Sequence, residues 1–214
     1  LQYDCRGQGQ SDHPESPYSM EQHADDLAGL LDALEIQSAH IAGISYGGEV
    51  AQAFAIAHPE RLRSLILADT VSEIGLELRI AVQSWLDAAR TCDGSFFFDA
   101  TVPWNFSHQW VRDHPTQLKA TRKRYEQLDF AAVARLYEAF LKLDLTAQLG
   151  AIHAPTCILY GELDILKGQS YAQILKRGIP QAEVHCLLGA GHASCIERPE
   201  EFNTVILGFL AKQP

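Results

Sequence analysis

At 214 residues the chain is long enough for one sizeable core, and its 47% hydrophobic and 21% charged residues are those of a soluble globular protein. A formal net charge of −10 excludes nucleic acid and an anionic membrane surface as main partners, and no apolar run approaches the roughly 20 residues that span a bilayer. Cys5, Cys92, Cys157, Cys186 and Cys195 lack C-x-x-C spacing and read as free thiols of a cytoplasmic protein, while nine histidines in no ligand pattern predict neither a metal nor a cofactor.

Leu1-Gln2-Tyr3 reads as the end of a β-strand. The sheet is therefore expected to begin upstream of Leu1 and to leave an open N-terminal edge, available for association or for a missing N-terminal segment. The glycine-rich stretch from Asp4 to Ser11 has no lysine and no phosphate-binding pattern, which sets a nucleotide cradle aside. From Ser19 a helix is predicted, with Ser19 and Gln22 as a capping box and Leu27, Leu30, Leu31 and Leu34 as its apolar stripe. His40 to Ile44 is the next strand, and a helix from about Gly47 to Ala57 follows, stopped by His58-Pro59. Leu62 to Ala68 is a further strand of buried character. Strand and helix alternate at the spacing of a mostly parallel sheet with crossover helices, an α/β architecture.

The alternation stops at about Val71. As far as Gly150 only helices are predicted, at Leu76 to Ala89, Gln117 to Gln127 and Phe130 to Leu143. Aromatic residues from Trp85 to Phe140 gather in this stretch, as in a helical cap over a site; two or three of them are expected to line a pocket and the rest to pack the stretch's own core. Its basic residues, Arg79, Arg112, Lys119, Arg122, Lys123 and Arg124, read as a solvated face in preference to a receptor for a carboxylate. The sheet resumes at Thr156 to Tyr160, followed by a helix at Gln169 to Lys176, a strand at Glu183 to Leu188 and a last helix opening on Pro199. The organisation expected is a core in two parts, 1–70 and 151–214, with a helical cap over 71–150.

Chemistry is concentrated in Gly43-Ile44-Ser45-Tyr46-Gly47, a G-x-S-x-G pattern at a predicted strand-turn-helix junction. Such a turn strains the serine backbone and projects its hydroxyl from the strand end, while the flanking glycines let neighbouring elements approach. A serine hydroxyl needs a base to take its proton, and that base needs an acid to fix its tautomer. Asp164, in Gly161-Glu162-Leu163-Asp164, and His192, in Gly189-Ala190-Gly191-His192, each lie just past the carboxyl end of a predicted strand, where open α/β sheets collect ligands. Asp69 and Glu162 are rival acids. His13, His23, His58, His108 and His114 read as loop or helix-surface residues. Of two oxyanion donors, one is expected from the backbone N–H of Tyr46 and the other from a loop upstream of Leu1.

With Asp4-x-Arg6-Gly7-x-Gly9-x-Ser11 ahead of these motifs, the chain resembles the α/β-hydrolase family, most closely its small-molecule esterase and lactonase branch, including the oxoadipate enol-lactonases. The resemblance implies a triad of Ser45, Asp164 and His192 acting on a small carboxylic ester or lactone without a cofactor, and family members carry about three further strands ahead of the position of Leu1. Hydrolysis of a C–C bond, cofactor-free perhydrolysis and slow-turnover reception of a small molecule are the other activities expected of such a site.

Overall fold

A computed structural model describes residues 1–213. Its centre is a four-stranded parallel sheet in the order β1 (Ala39–Ile44), β2 (Leu62–Ala68), β3 (Thr156–Gly161) and β4 (Glu183–Leu187). Ahead of it and within it run α1 (Met20–Ala33), between Ser19 and β1, and α2 (Tyr46–Ala57), between β1 and β2. Five α-helices and a short 3₁₀ helix (Thr146–Ala151) separate β2 from β3, the α-helices being α3 (Leu76–Arg90), α4 (Gly94–Asn105), α5 (His108–Asp113), α6 (Pro115–Tyr125) and α7 (Phe130–Phe140). The chain then closes with α8 (Gln169–Gly178), the short α9 (Ser194–Glu197) and α10 (Pro199–Leu210).

The central strands alternate between two buried layers. Leu65, Leu67 and Ile158 pack with Ala51 and Ala55 of α2 and with Ala172 and Leu175 of α8, whereas Ile66, Ala68, Cys157 and Leu159 pack with Phe202 and Phe209 of α10. Because both faces are covered, these strands are continuous apolar runs. Met20, Leu27 and Leu31 of α1 share a third cluster with Val50 and Phe54 of α2 and with Trp85 and Phe140 from the inserted helices. Among the described residues no helix is long and apolar enough to cross a membrane.

Leu1 to Tyr3 does not form a strand. An extended segment becomes one only when a neighbouring strand pairs with its N–H and C=O groups, and the open side of β1 carries no such neighbour among the described residues. Among the described residues β1 and β4 are the outer strands of the sheet. Ser19 accepts from Gln22 N at 3.2 Å as expected, but Gln22 Oε1 has no partner, so only half of the capping box is made. Two helices, α4 and α5, escape sequence periodicity. The first begins at Gly94 and contains Pro103; it holds because Asp93 caps Phe96 N and because Phe97, Phe98 and Val102 are buried. His23, expected on a helix surface, is fully buried, its ring edge-on to both Tyr18 and Tyr46.

Phe54 ties α2 to α1 and is wholly inaccessible. Phe54→Ala is expected to lower the unfolding free energy by about 3–5 kcal/mol, read from the midpoint shift of a urea titration.

Candidate active site

At the end of β1 the backbone turns sharply. Ser45 adopts φ 52° and ψ −120°, left-handed for a residue with a side chain, while its N–H still donates to Ala68 O at 2.9 Å. It occupies the N-cap of α2, yet its hydroxyl caps no backbone N–H. The Oγ instead lies 2.8 Å from His192 Nε2, and His192 Nδ1 lies 2.9 Å from Asp164 Oδ2. Asp164 Oδ1 accepts from Leu166 N at 2.7 Å and Lys167 N at 2.9 Å, which fixes the carboxylate in its loop. Burial pushes the Asp164 carboxyl up, but the hydrogen bond and charge of His192 and the two backbone donors outweigh it and hold the group below the usual carboxylate range. Hydroxyl, imidazole and carboxylate thus form one unbroken hydrogen-bonded chain, all three contributed by loops at the carboxyl ends of β1, β3 and β4.

Tyr46 opens α2, where its N–H has no intrahelical acceptor. Its phenol lies 2.9 Å from His23 Nε2, and burial pushes that imidazole down to about 4, which keeps it neutral. The rival acids are otherwise engaged. Glu162 accepts from Gly189 N at the surface. Asp69 is buried, accepting from Ser194 Oγ at 2.5 Å and Gly161 N at 3.0 Å.

Only one of the two glycines of the pattern is required by space. A Cβ on Gly43 would overlap the Gly47 carbonyl oxygen, whereas one on Gly47 would meet nothing within 4 Å. The second close approach belongs to Gly48, whose Cβ would sit 2.5 Å from the Thr70 side chain.

Ser45 and His192 open onto a cavity of about 470 Å³. Five aromatic residues of the inserted helices line it (Trp85, Phe97, Tyr125, Tyr137 and Phe140), more than the two or three expected from sequence. None of the basic residues of that stretch is among its lining residues; Arg122 instead pairs with Asp99, and Arg112 with Asp113. At the rim His13 Nδ1 lies 2.9 Å from Asp129 Oδ2, joining the N-terminal loop to the start of α7.

Two charged residues escaped the sequence reading: Lys167, which lines the cavity, and Glu49, buried behind it. Lys167 Nζ stands 3.3 Å from Ser45 Oγ and donates to both oxygens of Glu49, at 3.0 and 3.2 Å. Glu49 also accepts from Thr70 Oγ1 at 2.5 Å and Val71 N at 3.1 Å and is wholly buried. The available signal was a carboxylate four residues after the serine, on a helix otherwise made of small and apolar residues apart from Gln52.

Gly43→Ala is expected to abolish the turn, whereas Gly47→Ala is expected to keep the fold; melting curves of the two variants check this pair. A pH dependence follows from Asp69, whose carboxyl burial pushes up to about 6 against the opposing effects of His192, Ser194 and Gly161 N. The folded chain binds this proton more tightly than the unfolded one, so stability falls as pH rises from about 4 to about 6, by up to roughly 3 kcal/mol. Asp69→Asn removes that part of the slope and suits the left-handed backbone there (φ 50°), as urea midpoints at pH 4 and pH 7 will show.

A sequence profile for a family described as alpha/beta hydrolase fold matches residues 1–199. Over 208 residues the chain is 30% identical to 3-oxoadipate enol-lactonase 2 of Acinetobacter baylyi, covering 95% of this chain and 75% of that protein. It is also 30% identical, over 223 residues, to the 2-hydroxy-6-oxononadienedioate/2-hydroxy-6-oxononatrienedioate hydrolase of Paraburkholderia xenovorans, covering 97% of this chain and 74% of that one. Among solved structures, the enol-lactonase from Burkholderia xenovorans superposes with a TM-score of 0.90 at 30% identity, over 98% of this chain and 80% of that one. These likenesses run through sheet, inserted helices and the loops that carry Ser45, Asp164 and His192, and the chain belongs to the α/β hydrolase fold family.

Proposed function

We propose that the chain is a serine hydrolase that opens a small, uncharged carboxylic ester or lactone through an acyl-enzyme. The observation that carries this reading is the continuous path Ser45 Oγ–His192 Nε2, His192 Nδ1–Asp164 Oδ2, opening onto a mainly apolar cavity. With Nδ1–H donating to Asp164, the imidazole presents an unprotonated Nε2 to the hydroxyl. The Oγ–H bond breaks as Oγ attacks the carbonyl carbon; the proton passes to His192, and the carbonyl π pair moves onto oxygen toward Tyr46 N–H. Collapse expels the alcohol oxygen, which takes the proton from His192. Water then repeats the sequence on the acyl-enzyme and returns the hydroxyl to Ser45.

The cavity's lining supports an apolar acyl or alcohol group. Val82, Leu136 and Leu166 join the five aromatics, and the volume falls in the roughly 300–1,000 Å³ range of small-molecule sites. The segment 71–150 serves in this reading as the cap that shapes specificity. A relative named as a hydrolase of a 6-oxo dienedioate, a compound without an ester, keeps one second reading: the same nucleophile attacking a ketone, with cleavage of the adjoining C–C bond.

A fluorophosphonate probe is expected to label Ser45 and to leave Ser45→Ala unmodified, with ester turnover falling on the order of 10⁴-fold in Asp164→Asn. In a p-nitrophenyl ester series from acetate to octanoate, kcat/KM should climb about three- to fourfold per methylene until the cavity is full, following about 0.8 kcal/mol for each buried CH₂. Absence of labelling would overturn both readings, which share Ser45, whereas labelling with a flat series and turnover only of a ketone would replace this reading with the second.

A further inference from the structure

Beneath the cavity lies an ion pair that the three-residue path does not use, with only its lysine reaching the lining. Glu49 and Lys167 are both sequestered, with side-chain exposures of 0% and 5%. Taking two charges out of water costs more than their mutual attraction commonly returns, so replacing such a pair by apolar residues is often neutral or stabilising. Stability is therefore a weak reason for its presence, and the placement of its atoms supplies a better one. The ammonium has three donors: Glu49 takes donation on both oxygens, and the remaining direction leads to Ser45 Oγ at 3.3 Å. The Phe140 ring also lies against it, with Nζ 4.4 Å from the ring centroid. Glu49 is itself held by Thr70 Oγ1 and Val71 N at the end of β2, so the ammonium is fixed to the sheet edge through two links.

We propose that Lys167, clamped by Glu49, is a fourth catalytic group that stabilises negative charge on Ser45 Oγ. The hydroxyl then has both of its needs met at once. It donates its proton to His192 Nε2 and accepts from the ammonium on a lone pair. As the Oγ–H bond breaks and the proton moves to the imidazole, Oγ gains anionic character, and a fixed cation 3.3 Å away in a site shielded from water favours it. The same holds in the second half of the reaction, when the Oγ–C bond of the acyl-enzyme breaks, its electron pair returns to Oγ and His192 gives back the proton. Lys167 keeps its own protons throughout; it transfers nothing. A charge stabilised on the reacting oxygen lowers the barrier without tightening substrate binding, so its signature lies in kcat and in the reactivity of Ser45.

This inference rests on Ser45 being the nucleophile, and the experiment keeps the two apart. The second-order rate of fluorophosphonate labelling of Ser45 is measured for the wild type and for Glu49→Gln/Lys167→Met, which removes both charges at similar volume, alongside p-nitrophenyl ester kcat and KM and the melting temperature. No labelling of the wild type defeats the serine-hydrolase reading and this proposal with it. Labelling and kcat reduced on the order of 10²-fold, at unchanged KM and melting temperature, is the result expected. Labelling of the double variant within about threefold of wild type, a change confined to KM, or a loss that tracks a lowered melting temperature overturns the role of Lys167 and leaves the nucleophile intact. If the double variant does not fold, Glu49→Gln/Lys167→Gln repeats the test with amide hydrogen bonds in place of the ion pair.

Discussion

The close approach of Gly43 to the first turn of α2 is the constraint from which the site follows. With no Cβ on Gly43, the Gly47 carbonyl can sit directly against the strand, and α2 can begin two residues after it. The intervening Ser45 has to take up φ 52°, a conformation worth of order 1–3 kcal/mol in strain that only surrounding structure can hold. That surrounding structure is a ladder hydrogen bond to Ala68 and a helix buried along nearly its whole length. One short contact thus sets the direction of the hydroxyl, the position of Tyr46 N–H and the line along which Glu49 descends into the core.

The polar groups beneath the cavity form a graded arrangement. Asp164 is kept ionised by backbone donors and His192, while Asp69, close to the same imidazole but more poorly compensated, is pushed toward its protonated form. His23 is kept neutral by burial and serves Tyr46, whose ring in turn packs near Phe140. Asp164 and Asp69 are each held by partners that come from more than one loop or strand end. A site of this kind keeps its geometry through rigidity of the sheet edge, not through any single strong bond.

Ser45, Asp164 and His192 were legible in the sequence because each is announced locally, by glycines and by a preceding apolar run that ends where a strand ends. The sheet was legible for a related reason: strands buried on both faces are dense in Leu, Ile and Val. Lys167 and Glu49 were not, since their meaning lies in a pairing across 118 positions that no local pattern encodes. Helix α4 was hidden by Gly94, three phenylalanines and Pro103, residues that form a helix there because of what they pack against. Leu1 to Tyr3 misled in the opposite sense, since its apolar and aromatic character suits a strand but pairing is a property of two segments, not one.

Besides the N-terminal loop at its rim, the cavity draws on two sources that differ in kind. Its roof (Val82, Trp85, Phe97, Tyr125, Val133, Leu136, Tyr137 and Phe140) comes from one uninterrupted stretch of polypeptide between β2 and β3, whereas Ser45, Leu166, Lys167 and His192 below arrive from separate strand ends. A roof made of a single continuous insert can be exchanged, shortened or resurfaced as one cassette, because its two ends are anchored to adjacent strands that already hold the floor in register. Chain length and side-chain size in that cassette can therefore drift widely while the reacting atoms below keep their distances.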